Sequence, residues 1–212
     1  MEERLGLRER KKRETRQRIA DIAMGLFMMR GFDNVTVAEV ARVADVSVNT
    51  VFNYFRTKED LFLDRQDAFV EQPSRIVRER RPGESVIEAL RRDYLQALDE
   101  GDWRSGLNEG AEVVTRMIDQ SPSLLARMRE LSERREERLA ETLAEVTGAA
   151  EDDVMPVLAA AQICAVTRRL AADGVRRKAA GEGHEQVVAG VRAQALLAFD
   201  LLEKGLGRYG AG

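Results

Sequence analysis

Helix-forming residues run through almost the whole chain, and this feature most limits the folds available to it. Ala, Leu, Glu and Arg are abundant, and only four prolines occur in 212 residues. Proline removes a backbone donor and ends helices, so a chain with so few prolines can stay helical over long segments. No segment shows the alternating pattern of a half-buried strand. The sequence therefore predicts an all-α protein of about nine helices.

The first strong helical pattern lies near the N-terminus. Its apolar positions repeat at the spacing of one helix face: Ile19, Ile22, Ala23, Leu26 and Phe27. Gly31 can adopt the left-handed conformation that ends a helix, and Phe32 is then placed to pack back on Phe27. We expect this helix to end at Gly31.

Capping residues mark the short helices that follow. Thr36 opens a capping box and predicts a second helix. Residues 44–47 suit a tight turn, after which Ser47 caps a third helix that ends at about Phe55. Thr57 caps a fourth helix, which is expected to continue through Phe69.

The rest of the chain is predicted to form a second domain. Breaks are expected near Gln72-Pro73 and at residues 80–83, followed by helices at about 85–100, 106–120, 123–147, 153–181 and 185–206. Seven of the eleven aromatic residues lie between Phe27 and Phe69, so the N-terminal part has apolar residues for its own core. The predicted domains are residues 1–70 and 71–212.

The third helix divides into two predicted faces. Its inward face is predicted to be Val48, Val51, Phe52 and Phe55, which leaves Asn49, Thr50, Asn53 and Tyr54 outward. A short helix with outward amides and hydroxyls fits the major groove of B-DNA, where Asn pairs with adenine and Thr contacts several bases. An alternative is an ordinary three-helix packing unit whose exposed face is merely polar.

Charge is distributed unevenly along the chain. Although the net charge is −3, the first 18 residues hold eight basic and four acidic side chains, a local charge of +4. A basic end of this kind, which includes Arg16, attracts phosphate, while a solvated tail is the alternative interpretation. Lys58 lies at a helix start, where a bound phosphate would offset its unfavourable interaction with the helix dipole.

Residues 36–55, TVAEVARVADVSVNTVFNYF, followed by TKEDL, resemble the DNA-binding segment of the tetracycline-repressor (TetR) family. The resemblance implies an all-α homodimer with a three-helix DNA-binding head and a larger ligand-binding and dimerisation body. By position it implies phosphate contacts from Thr36, Tyr54 and Lys58. It also places four residues in or beside the groove: Ser47, Asn49, Thr50 and Asn53.

The segment departs from the family pattern at two places. Asp45 occupies the turn position where the family usually has glycine, and Asp tolerates a positive φ better than most residues. Val48 and Asn49 are less basic than is usual in that family. The resemblance therefore supports docking in the groove more firmly than any particular base contact.

The last two long helices carry extended small and apolar faces. In the resembled family these helices form a four-helix bundle with their mates, which places a homodimer interface at about 153–181 and 185–206. A two-fold dimer implies a pseudo-palindromic double-stranded DNA operator. The alternative is that these faces bury only the core of the single chain. The face residues concerned are Val157, Leu158, Ala161, Ala165 and Leu170, then Val188, Val191, Ala195, Leu196, Phe199 and Leu202.

An unidentified small-molecule effector is expected to bind in the second domain. Candidate cavity residues are Tyr94, Trp103, Met117, Met128, Met155 and Cys164. Each of them also fits the alternative of ordinary core packing. The segment 119–125 weakly resembles regulators that bind acyl-CoA-like ligands, which favours a hydrophobic or acyl-CoA-like effector.

Other function classes have little support in the sequence. One histidine, one cysteine, and no HExxH, CxxC or glycine-rich phosphate loop argue against an enzyme, a metal site or a bound cofactor. No apolar run is long enough to span a membrane, and the lone Cys164 suits a reducing compartment, so a cytoplasmic location is expected. We expect a ligand-released repressor, with a helical protein-interaction scaffold as the alternative.

Overall fold

The computed structural model describes residues 6–206, which are helical throughout apart from turns and short connections. No strand occurs within that range, which confirms the predicted all-α fold. None of its helices combines the length and apolarity needed to cross a bilayer. Its helices are Leu7–Arg30 (α1), Val37–Val43 (α2), Val48–Tyr54 (α3), Lys58–Phe62 (α4), Gln66–Arg78 (α5), Val86–Asp99 (α6), Ala111–Gln120 (α7), Pro122–Thr147 (α8), Met155–Ala179 (α9) and His184–Leu206 (α10), with a 3₁₀ turn at Trp103–Ser105.

The helices group into two compact units. The first comprises Met1–Gln66 together with Met117–Arg127, and the second comprises Asp67–Arg116 together with Met128–Gly212. The sequence predicts a single division, near residue 70. The grouping of Met117–Arg127 with the first unit has no counterpart in that prediction.

An aromatic cluster lies at the centre of the first unit. The rings of Phe27, Phe32 and Phe62 have centroids 5.1, 5.8 and 5.5 Å apart, at tilted or edge-to-face angles that such pairs favour. Around this cluster, Val40 and Val51 are fully buried. The cluster fixes α1 and α4 against each other, and α2 packs on both α1 and α3.

The path from α4 to α5 differs from the predicted path. The predicted fourth helix ends after Phe62, where Leu63 leaves helical geometry at φ −96° and ψ 47°. The predicted break near Gln72-Pro73 is wrong, because α5 continues from Gln66 to Arg78 with Pro73 inside it.

A side chain from α8 explains how α5 tolerates its proline. Proline has no N–H, so the carbonyl four residues earlier, that of Phe69, lacks its helical donor. Arg135 Nη1 donates to the Phe69 carbonyl oxygen at 3.3 Å, and its guanidinium lies 4.5 Å from the centroid of the Phe69 ring. Arg135 Nη2 also donates to Gln72 Oε1 at 3.2 Å. The guanidinium thus replaces the bond that Pro73 removes.

The second unit is built around α6, α9 and α10. Tyr94 packs on Phe199 with ring centroids 5.9 Å apart, and Val187 and Val191 are fully buried beside them. Gly174 allows α9 to approach Leu107 closely, since a Cβ at Gly174 would meet Leu107 Cδ2 at 2.4 Å. The core of this unit therefore depends on a close approach between α9 and the connecting segment that contains Leu107.

Candidate DNA-binding interface

The turn between α2 and α3 fixes the direction of the third helix. Asp45 adopts φ 53°, the left-handed conformation expected at the position where the resembled family has glycine. Val46 donates its N–H to the Ala41 carbonyl oxygen at 3.0 Å, which closes the turn. Ala41 and Ala44 are buried at the contact between the two helices. The sequence therefore produces the tight turn that a helix-turn-helix requires, with aspartate in place of glycine.

The exposed face of α3 differs from the predicted face. Val51 and Phe55 are buried as expected, but Val48 is 38% exposed and Phe52 is 47% exposed. Their assignment to the inward face is wrong. Each residue turns the helix by about 100°, so Phe52 lies well to the side of Val51, and this seven-residue helix has only a narrow buried stripe.

The polar residues of α3 also divide between exposed and partly covered positions. Asn49 and Asn53 are exposed, whereas Thr50 and Tyr54 are half-buried. The exposed outward face of α3, which we call its open face, therefore includes Val48, Asn49, Phe52 and Asn53. The short length of α3 could have indicated this arrangement, because a seven-residue helix cannot bury four apolar side chains on one stripe.

Hydroxyl groups hold the start of α3. Ser47 is the N-cap, and its Oγ accepts the Thr50 N–H at 3.0 Å. The two hydroxyl oxygens, Ser47 Oγ and Thr50 Oγ1, are 2.8 Å apart and share one hydrogen bond. Whichever hydroxyl donates, the other keeps its hydrogen for an outside acceptor. Both residues therefore have a capping role and can still contact DNA.

Thr36 belongs to a charged capping box at the start of α2. Its N–H donates to Glu39 Oε2 at 2.8 Å, and Glu39 N–H donates back to Thr36 Oγ1 at 3.2 Å. The Thr36 hydroxyl also donates to Glu39 Oε2 at 3.0 Å, so a phosphate contact from this hydroxyl requires it to turn away from Glu39. Arg30 Nη1 donates to Glu39 Oε1 at 2.8 Å. The backbone N–H of Thr36, followed by the Arg30 guanidinium, lowers the pKa of Glu39 to about 2. Thr36 itself is exposed.

Lys58 begins α4, whose N-cap is Thr57 as predicted. Its Nζ lies 4.2 Å from the ring centroid of Phe32 and 6.0 Å from that of Phe27. These distances allow cation–π attraction, which holds the ammonium at this position. The residue is half-buried at the start of α4.

Arg16 has a different environment from the rest of the basic segment. Its Nη1 donates to Asp64 Oδ1, its Nη2 donates to the Asp64 carbonyl oxygen at 3.1 Å, and the guanidinium lies 4.7 Å from the Phe55 ring centroid. It fastens α1 to the residues after α4 and to the end of α3. Arg4 lies outside the described residues. The other basic residues of the segment are all exposed: Arg8, Arg10, Lys11, Lys12, Arg13 and Arg18.

The six candidate effector residues are divided between the two units, with Met117 in the first and the other five in the second. Tyr94 is buried in the core of the second unit, and its hydroxyl finds no hydrogen-bond partner within residues 6–206. Burial raises the pKa of the Tyr94 hydroxyl and of the half-buried Cys164 thiol. Met155 is exposed at the start of α9, Met128 is half-buried, and Met117 belongs to the first unit.

Trp103 lines a cavity of about 220 Å³ in the second unit. The other residues of its wall are Ala68, Glu71, Gln72, Arg75 and Arg104. Behind the wall, Asp93 accepts a hydrogen bond from Gln72 Nε2 at 2.9 Å and an ion-pair bond from Arg104. A larger open cleft of about 670 Å³ between α9 and α10 is lined mainly by charged and polar residues. Of the six candidates, Trp103 is the one that lines either of these two cavities.

Comparison with known proteins gives related sequences and folds. The family model described as "Bacterial regulatory proteins, tetR family" matches residues 19–64. The chain is 32% identical over 169 residues to the HTH-type transcriptional regulator TcmR of Streptomyces glaucescens, covering 77% of this chain and 74% of that protein.

Solved structures share the fold at low sequence identity. A SmeT–triclosan complex superposes with a TM-score of 0.60 and 16% identity over 91% of both chains. FadR from Bacillus subtilis, solved with stearoyl-CoA, superposes with a TM-score of 0.55 and 19% identity over 89% of this chain and 98% of that one. These similarities extend over both units.

Proposed function

Because this chain belongs to the tetR family of bacterial regulatory proteins, with a DNA-binding segment near its N-terminus, we propose that it is a homodimeric repressor. In this proposal the dimer binds a pseudo-palindromic operator, and a small hydrophobic molecule releases it. The open face of α3, which follows a tight turn, is the observation that carries the proposal.

The charges of the first unit support contact with DNA. The open face of α3 carries no charge of its own, whereas exposed cations extend along the start of α1. Cations near the groove bind phosphates and fix the register, while base edges are read by the helix within the groove. We assign phosphate contacts to Thr36, Tyr54, Lys58 and the exposed residues of the basic segment, and base contacts to Asn49 and Asn53. Arg16 is assigned a positioning role instead, because its bonds to Asp64 and its contact with Phe55 hold α1 and the end of α3 in place.

The effector is proposed to bind at the cavity beside Trp103. Its volume of about 220 Å³ is below the usual range for ligand pockets and suits a small molecule. A ligand as long as the stearoyl-CoA in FadR would need the surrounding helices to move apart. The triclosan bound by SmeT is a smaller example. Trp103 is the sole tryptophan, so its fluorescence reports occupancy of this cavity directly.

Release of the operator follows from thermodynamic linkage between ligand binding and DNA binding. It does not require a particular path of motion. A ligand that binds the conformers unable to fit the operator shifts the population toward them and lowers operator affinity. The size of this effect is limited by the ratio of ligand affinities for the two sets of conformers. The ligand need not touch α3 to act.

Operator binding measured at several salt concentrations tests the DNA-binding proposal. A regulator that neutralises phosphates loses affinity steeply as salt rises, and Lys58→Ala should reduce the slope of log affinity against log salt by about one. Arg81→Ala, which removes an exposed cation of the second unit, is the matched control and should leave the slope unchanged. A DNA affinity that changes neither with salt concentration nor with Lys58→Ala would favour the alternative function, a helical scaffold that binds only protein.

A further inference from the structure

The open face of α3 consists of two parallel stripes of different chemistry. Val48 and Phe52 form an apolar stripe, and Asn49 and Asn53 form an amide stripe beside it. Within each stripe the residues are four apart, which places them one above the other on a helix. The amide stripe was expected from the sequence, but the apolar stripe was not.

The exposure of Val48 and Phe52 requires an explanation within the first unit. This unit encloses its other phenylalanines almost completely: Phe27, Phe32, Phe55 and Phe62 are each at most 4% exposed. Phe52 keeps 47% of its surface open on the same short helix that buries Phe55. If α3 enters the major groove, as the proposed function requires, the exposed apolar side chains would face base edges there.

The chemistry of base pairs gives this stripe a definite partner. In the major groove an A·T pair presents the adenine N6 and N7 atoms beside the 5-methyl group of thymine, whereas a G·C pair presents no methyl group. An amide stripe next to an apolar stripe is therefore complementary to A·T pairs. The apolar stripe would have no corresponding partner over G·C pairs.

We propose that Val48 and Phe52 are specificity-determining residues that contact thymine methyl groups beside adenines paired with Asn49 and Asn53. This inference rests on the proposed DNA-binding function and deepens it, because it specifies the base composition of the half-site. Val48 and Phe52 are separated by about 6 Å along the helix axis, which corresponds to roughly two base-pair steps. Each half-site therefore contains a short run of A·T pairs with two thymines about two steps apart.

Deoxyuridine substitution tests the inference on the DNA side without altering the protein. Duplexes are first selected by the wild-type protein from a random library and then synthesised with either thymidine or deoxyuridine at each half-site position. Deoxyuridine keeps the base pair and removes only the methyl group. We expect substitution at a contacted thymine to weaken binding about four-fold, the equivalent of ~0.8 kcal/mol per buried carbon group. Substitution at other positions should change affinity less than two-fold.

Variants assign each methyl group to its side chain. Val48→Ala and Phe52→Ala should bind the thymidine duplex more weakly and lose the difference between thymidine and deoxyuridine at one position each. Asn53→Ala should also bind more weakly but keep that difference. Met29→Ala is the matched control, because Met29 is an apolar side chain of the first unit that is 75% exposed on α1. It should behave as wild type.

The outcomes separate this inference from the proposed function. Salt-dependent binding to duplexes with G·C-rich half-sites, or wild-type affinity that ignores deoxyuridine at every position, overturns the inference and leaves the function standing. A deoxyuridine effect that persists unchanged in both alanine variants also overturns it. Absence of any salt-dependent DNA binding by the wild-type protein overturns the function and the inference together.

Discussion

Glu39 of the first unit has a strongly lowered pKa. Three donors, the backbone N–H of Thr36, the Arg30 guanidinium and the Thr36 hydroxyl, hold its carboxylate in the ionised form. Its pKa is lowered from 4.5 to about 2 in the folded protein. Such a shift stabilises the folded state above the unfolded pKa, and this contribution disappears as the pH falls through the folded pKa.

We therefore expect the Glu39→Gln variant to be less stable than wild type at neutral pH. The difference should shrink as the pH falls from about 4.5 toward 2, because wild-type Glu39 becomes protonated over that window. Urea unfolding of both proteins at a series of pH values measures it. Glu137→Gln, which removes an exposed carboxylate from α8, should show no comparable trend. A Glu39→Gln difference that is constant from pH 6 to pH 2 would contradict the role of the ionised carboxylate.

Capping residues were the most predictable features at the residue scale. Thr36, Ser47 and Thr57 each cap the helix that the sequence assigns to them, since a cap is a local pattern of three or four residues. The exposure of Val48 and Phe52 was predicted wrongly, because hydrophobicity does not reveal which side of a two-turn helix its neighbours cover. The bonds of Arg16 to Asp64 join residues far apart in sequence and left no local signal.

At the scale of elements, α5 shows how a helix can continue through a proline. The sequence predicts a break at Gln72-Pro73 because Pro73 lacks an N–H and restricts the residue before it. The helix persists because Arg135 of α8 donates to the Phe69 carbonyl oxygen. The compensating donor is more than sixty residues away in sequence, so no pattern within α5 could indicate it.

This arrangement predicts that the effects of Arg135 and Pro73 on stability are coupled. Arg135→Met should lower the free energy of unfolding by about 1–3 kcal/mol, because the Phe69 carbonyl and Gln72 amide lose their donor. In a Pro73→Ala background a backbone N–H becomes available to the Phe69 carbonyl. The cost of Arg135→Met should then fall by about 1 kcal/mol.

Urea unfolding of the wild type, both single variants and the double variant measures this coupling. Arg138→Met is a matched control on the same helix, since Arg138 donates to the exposed carboxylates of Glu71 and Glu141. Its cost should stay below about 1 kcal/mol and be the same in both backgrounds. Strictly additive effects of Arg135→Met and Pro73→Ala would contradict the replacement of the helical bond by the guanidinium.

At the scale of the whole molecule, the helical class and the general positions of the long helices were predictable. They depend on the amino-acid composition, on the helical spacing of apolar residues and on a few glycines and prolines that act locally. The assignment of Met117–Arg127 to the first unit was not predictable, since it depends on contacts between residues far apart in sequence. Ser121 Oγ donates to Asp33 Oδ1 at 3.1 Å, and Arg127 Nη2 donates to Asp60 Oδ1 at 3.0 Å. Such pairings follow from the fold and have no signature in the segments themselves.

The faces of α9 and α10 also differ in part from their prediction. Several residues assigned to the dimer face, among them Val191, Ala195 and Phe199, are fully buried within the second unit. Leu197 and Leu201, which the prediction omitted, are 67% and 70% exposed and lie one turn apart on α10. Val157 and Leu158 are exposed on α9. The outer side of α10 thus has large apolar side chains that the single chain does not cover.

We propose that Leu197 and Leu201 lie at the homodimer interface, and that charge at these positions separates the protomers. The double variant Leu197→Glu, Leu201→Glu should be monomeric at concentrations where wild type is dimeric, because each carboxylate would be buried against apolar surface without a partner. Sedimentation equilibrium measures the oligomeric state. Neither position contributes to the core of the second unit, so the thermal unfolding of the variant monomer should remain cooperative.

Loss of the dimer should also change DNA binding in a characteristic way. Two linked heads bind a two-fold operator far more tightly than either head alone, since the second contact is intramolecular. The monomeric variant should therefore lose at least ten-fold in affinity for the full operator but bind a single half-site as wild type does. Met29→Glu, which places a charge at an exposed apolar position of the first unit, should remain dimeric. A double variant that stays dimeric would place the interface away from the leucine pair on α10.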